Sequence, residues 1–113
     1  MPVNLQYLTQ AIVGIPGNSR SQATTASSAI FDSETGLRAG KMYLLNSNRD
    51  VHLEFGIDGS APTATTDSWR LPKDQILAVS TDQDIEMSII RGSEETTDGI
   101  IWVAEQLETA AKL

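Results

Sequence analysis

The 113-residue chain has no cysteine, which excludes disulfides and thiolate metal sites and leaves its stability to packing or to partners. It has one histidine, His52. A zinc site takes three or four protein ligands. A Ser-His-Asp nucleophile takes that histidine, an orienting carboxylate and a turn such as G-x-S-x-G, which is missing. Aromatic residues make up only 5%, too few to serve both the strands and an array of sugar-stacking rings. The 8 basic residues are outnumbered by 15 acids, for a net charge of −7, and they are scattered. That field repels a phosphate backbone, so nucleic acid is not expected as a partner. No run approaches the roughly 18 apolar residues of a bilayer span, and "MPVNLQYLTQ" has neither the cationic nor the apolar part of a signal peptide. The expectation is a soluble protein made in the cytoplasm with no membrane partner. "GIPGNSRSQ" contains no lysine and no G-x-x-x-x-G-K-[ST] pattern, so it is not a phosphate loop. The chain is read as a non-enzyme, with no catalytic residue, cofactor, metal or small-molecule substrate assigned.

What is present is period-two alternation. In "DVHLEFG", Val51, Leu53 and Phe55 alternate with His52 and Glu54, the pattern of a half-buried strand. "DIEMSII" repeats it with Ile85, Met87 and Ile89. "GKMYLLNS" and "QILAVS" are short apolar runs closed by polar residues, and each reads as a strand. In "GIIWVAE", Ile101 and Val103 share one face and Ile100 and Trp102 the other, which predicts a strand covered on both faces over part of its length. "SSAIFDS" is a further candidate. "LQYLTQAIVGI" reads as one long strand or a strand with a break. Between these runs "NSNRD", "STDQD", "ETGLRAGK" and "SEETTDG" carry turn residues, and they are expected to close hairpins.

Strands at intervals of about ten residues predict an all-β fold, an antiparallel sandwich or jelly-roll-like barrel of about seven to eight short strands. With 40% hydrophobic and 20% charged residues, residues 1–113 make one domain with one core. No amphipathic helix separates the strands, which excludes a parallel α/β fold. "AEQLETAAKL" is the one helical pattern, predicting a short C-terminal helix or tail over 105–113 that needs docking to stay folded.

Three stretches bear on function. "GSAPTATTDSWRLP", residues 59–72, combines prolines with threonines and predicts a long extended crossover. Its Trp69 is either an anchor to the core, where burying the ring stabilises by about 2–3 kcal/mol, or a partner contact beside Arg70. "GNSRSQATTASSA", residues 17–29, has little to bury and reads as a Ser/Thr-rich surface loop, or as an arm that orders on a neighbouring subunit. Asp82, Asp84 and Glu86 alternate through a turn, with Asp58 in a nearby loop, and offer oxygens for weak calcium binding without the EF-hand spacing. His52 and Glu54 share a strand face at i, i+2. His52 is read as a solvated or interface-facing residue.

The order of segments "L.AGKMYLLNSNRDVHLEFG", "APTATTDSWRLP" and "ILAV...DIEMSIIRG....DGIIWVAE", covering residues 37–105, resembles small virion structural proteins of tailed bacteriophages. Shared features are a strand ending in glycine, a P-T-A-T segment, a leucine before the next strand and a final strand after D-G. The resemblance implies a non-enzymatic β-sandwich located in the virion, binding the major capsid protein as a decoration (cement) protein. It is equally compatible with a head-tail connector or a tail or fibre component that contacts neighbouring virion proteins. The family pattern is structural and brings no functional residues. On this reading the partner contacts fall to Trp69, Arg70, Thr63 and Thr65 of the proline-containing loop and to Asn18, Arg20, Gln22 and Thr24 of the arm, and the protein is a homo-oligomer. The competing class is a carbohydrate-binding sandwich.

Overall fold

A computed structural model of the chain describes the backbone of residues 3–8 and 14–109 and the side chains of residues 19–105. Its strands, in chain order, are β1 (Val3–Leu8), β2 (Gly14–Thr24), β3 (Ala29–Ile30), β4 (Met42–Ser47), β5 (Val51–Ile57), β6 (Trp69–Leu71), β7 (Ile76–Thr81), β8 (Ile85–Arg91) and β9 (Gly99–Thr109). They form two antiparallel sheets, a five-stranded one in the order β1-β7-β4-β9-β2 and a four-stranded one in the order β3-β8-β5-β6. The fold is all-β, as the alternation predicts.

The pairings are nested. β5 pairs with β6, β4 with β7, β3 with β8 and β2 with β9. The chain is therefore one long hairpin whose tip is the segment 58–68, rolled so that its rungs fall alternately in two stacked sheets. That is a jelly roll. Rolling brings β4 against β9 and β5 against β8, and β1 extends the five-stranded sheet beside β7.

The alternation read from the sequence sets the core. Along β4 the inward residues are Tyr43, Leu45 and Ser47; Leu77, Val79, Ile101 and Val103 join them from the same sheet. Val51, Leu53, Leu71, Ile85, Met87 and Ile89 face them from the other sheet, and all are buried. Fully burying one such aliphatic side chain stabilises the fold by about 1.5–3 kcal/mol, so the two inner faces hold the layers together.

The structure corrects the expected connections. β4 and β5 lie in different sheets, as do β7 and β8, and β8 and β9. "NSNRD", "STDQD", "SEETTDG" and "ETGLRAGK", which leads from β3 to β4 in the other sheet, are thus arches between sheets, not hairpin turns. Turn residues reverse the chain; they do not choose the sheet that receives the next strand. Conversely, the 58–68 segment does not cross the sandwich but returns to β6 in its own sheet. The helical reading of the C-terminus is overturned through Thr109, because residues 104–109 continue β9 and pair with β2 and β4. Residues 110–113 lie outside the described residues. The surface-loop reading of 17–29 fails over 17–24, which belong to the eleven-residue β2. The N-terminal segment takes the broken form, β1 then β2, with 9–13 outside the described residues.

Candidate functional site

The two outward sheet faces differ. On the four-stranded sheet the hairpin tip lies back across β8 and β5 and is fastened by polar side chains. Ser88, only 1% exposed, holds its hydroxyl 2.6 Å from that of Ser28, and both hydroxyl oxygens accept from the Ala64 amide at 3.0 Å. The Glu86 carboxylate accepts from the amides of Gly59 (3.1 Å) and Ala61 (2.9 Å). Ser68 donates its hydroxyl to Glu54 at 2.8 Å. His52 Nδ1 lies 3.0 Å from the Ser68 carbonyl oxygen; a carbonyl only accepts, so Nδ1 carries the proton. His52 is therefore buried under the tip, not solvated, because the loop covers the face on which the strand pattern places it.

The acidic residues are spoken for in the same way. Asp84 bonds the Ala39 amide and Arg38, which hold its carboxyl below the usual carboxylate range. Asp50 is held low by its bond to Arg70 and then by the Lys73 amide. Lys41 is raised by its bond to Glu105. Asp84 and Glu86 thus serve separate partners, and among the described residues no three histidine or acidic side chains converge in a way that could hold a metal.

Among the described residues, the outer face of the five-stranded sheet carries no such cover. Its register positions alternate with the buried ones. β9 presents Ile100, Trp102 and Ala104, and β4 presents Met42, Leu44 and Asn46. β7 adds Ile76, Ala78 and Ser80. β2 adds Ser19, Ser21 and Ala23 opposite Ala104, Trp102 and Ile100. None of these residues is charged, although 20% of the chain is. Ile76, Ile100 and Trp102 are 42%, 40% and 36% exposed. An uncharged face with exposed large hydrophobic residues marks an interaction surface or a liability. The expectation that β9 is covered on both faces over part of its length is not met among the described residues: Ile101 and Val103 are buried, whereas Ile100 and Trp102 are 40% and 36% exposed.

The residues singled out in the sequence scatter. Trp69 is 45% exposed on the edge strand β6, where it pairs with the core residue Leu53, so its ring is not fully buried, and Arg70 is exposed and pairs with Asp50 at 2.7 Å. Thr63 and Thr65 are exposed on the hairpin tip, and the Thr65 hydroxyl accepts from the Asp67 amide. The other group turns inward. Arg20 donates to Asp32 (2.7 Å) and to the Gly36 carbonyl (2.9 Å) and stacks 5.3 Å from the Phe31 ring centre. The Gln22 side chain donates to the Ile30 carbonyl and accepts from the Asp32 amide. Thr24 is buried and accepts from the Gly99 amide. These three fasten the edge strand β2 to the opposite sheet and to β9. The side chain of Asn18 lies outside the described residues. The apolar face was missed; its signal was "GIIWVAE", whose second apolar row is left partly exposed by the described residues.

Compared with known family models, with curated proteins and with solved structures, the chain gives no match. The class it can be assigned is that of its topology, a small antiparallel jelly roll with one sealed and one open outer face.

Proposed function

We propose that the chain is a structural component of a bacteriophage virion, a capsid decoration protein that seats on the outer surface of the head and stabilises it. The observation that carries this reading is the contrast between the two outer faces: one is sealed by the chain's own hairpin tip, the other is left uncharged and apolar. A building block needs a face to be covered by its neighbours and needs no reaction centre. Jelly rolls serve in viral capsids, and also in lectins and cupins, so the topology agrees with the reading without deciding it. The resemblance of residues 37–105 to phage virion proteins points the same way. Trp69 and Arg70, both exposed on the edge strand β6, supply the contact to the major capsid protein in this reading.

The test is the copy number of the chain relative to the major capsid protein in purified particles, by quantitative mass spectrometry. A ratio near that of the capsid lattice supports decoration. A ratio of a few copies per particle moves the protein to the head-tail connector or the tail, and absence from particles rejects a virion role.

A further inference from the structure

We propose that the open face of the five-stranded sheet seats a second copy of this chain, in a two-fold dimer whose axis runs along β4. This concerns the free protein and holds whether or not it belongs to a virion.

Charge permits this occupant on this face and not on the charged ones. Each copy carries −7, so two copies meet at lowest cost where neither presents a carboxylate, and a partner recognised through its basic groups would need acids to bind. The described residues of the open face offer none. The face is also self-complementary. Asn46 of β4 lies opposite Trp102 of β9, and one step along the ladder from Leu45 and Leu77 it meets Ile76 of β7 on its other side. Trp102 and Ile76 thus flank the central strand in one row, each about 4.8 Å from it in strand spacing. A two-fold axis along β4 sets the Trp102 of each copy over the Ile76 of the other, brings Asn46 to Asn46, whose amides both donate and accept, and stacks Leu44 on Leu44. Trp102 and Ile76, both left exposed in one copy, are covered by each other's counterparts in the second, which is what an isologous interface requires. The area suffices as well. Five strands at about 4.8 Å spacing and about six residues at 3.4 Å give roughly 500 Å² of projected face per copy, or about 1,000 Å² for the pair. Side-chain relief raises this as accessible surface, into the lower range of specific interfaces.

The experiment is sedimentation of the full chain from about 1 to 200 μM, at low and at high salt. The expected mass rises from 12.2 kDa towards twice that value, and high salt strengthens association, because it screens like-charge repulsion and leaves an apolar contact intact. Trp102→Glu and Ile76→Lys, each alone, weaken the dimer about thirtyfold or more, as loss of an interface anchor does. Mixed together they restore it, because the carboxylate introduced at position 102 of one copy then meets the ammonium introduced at position 76 of the other, while the second contact stays native. Circular dichroism and thermal melts of each variant show that both remain folded. A wild-type chain that stays monomeric at 200 μM, dissociates further as salt rises, or forms trimers or larger rings overturns the proposal. So do folded single variants that still dimerise, or a mixture that remains monomeric.

Discussion

Removing both hydroxyls that hold the hairpin tip should cost more than the sum of removing each. Ser28 and Ser88 bond one another at 2.6 Å, and each accepts from the Ala64 amide at 3.0 Å. Ser28→Ala or Ser88→Ala alone breaks the bond between the hydroxyls and leaves the amide one acceptor. Such a loss costs about 1 kcal/mol. The double variant leaves an N–H without a partner at a residue that is itself buried, which adds a desolvation penalty of about 1–3 kcal/mol. The expected total is about 3 kcal/mol, against about 2 from the singles, a coupling of about 1 kcal/mol. Thermal and urea unfolding of the four proteins measure it, with about 4 °C per kcal/mol for a domain of this size. Hydrogen exchange at the Ala64 amide adds a local reading, with protection kept in both singles and lost in the double. A double variant no worse than the sum, with Ala64 still protected, would refute the claim that these hydroxyls seat the tip.

Acid unfolding should respond to Asp50 and Asp84. Both carboxyls are held below the ordinary range in the folded chain, Asp50 chiefly by Arg70 and Asp84 chiefly by the Ala39 amide. Their stabilisation is thus complete above the unfolded value near 4 and is lost as pH falls through the folded one; Asp50→Asn should flatten stability against pH below about 4 in urea melts. Gly36 and Gly40 separate strain from space. Both have positive φ, but a Cβ on Gly36 would lie 2.7 Å from the Ile85 carbonyl oxygen, whereas nothing lies within 4 Å at Gly40. Gly40→Ala should cost about 1 kcal/mol and Gly36→Ala about 2–3, and equal costs would contradict the close approach. Trp69→Ala should lower stability by less than about 1.5 kcal/mol, since the ring is already half exposed, yet reduce binding to purified capsids tenfold or more. Global unfolding by this substitution would return Trp69 to the core.

The strands and their inward residues were legible because period-two alternation reports burial directly. Val51, Leu53, Ile85, Met87 and Ile89 are where it places them. The roll was not legible. Each arch between sheets has the same Asn, Asp and Gly chemistry as a hairpin turn, and only the long-range ladders of β2 with β9 and β3 with β8 distinguish them. Residues 17–24 defeated composition for a related reason. β2 is held by backbone pairing and by two long polar side chains, Arg20 and Gln22, which leave no hydrophobic pattern. "AEQLETAAKL" has helix-forming residues, yet 104–109 stay extended where strands lie alongside to pair with. The hairpin tip hid His52 and Ser88, because a polar residue on an outward strand position looks solvated until the loop that covers it is placed. In the candidate surface, Trp69 and Arg70 were visible as an exposed-aromatic signature, whereas Trp102 and Ile76 resembled ordinary strand residues.

Whether the open face is an assembly surface can be read by hydroxyl-radical footprinting of Trp102 and Trp69 in the dilute chain and in assembled particles. Trp102 and Trp69, reactive in the dilute chain, should both be strongly protected in assembled particles. Trp102 equally reactive in both states would mean that the open face is not an assembly surface.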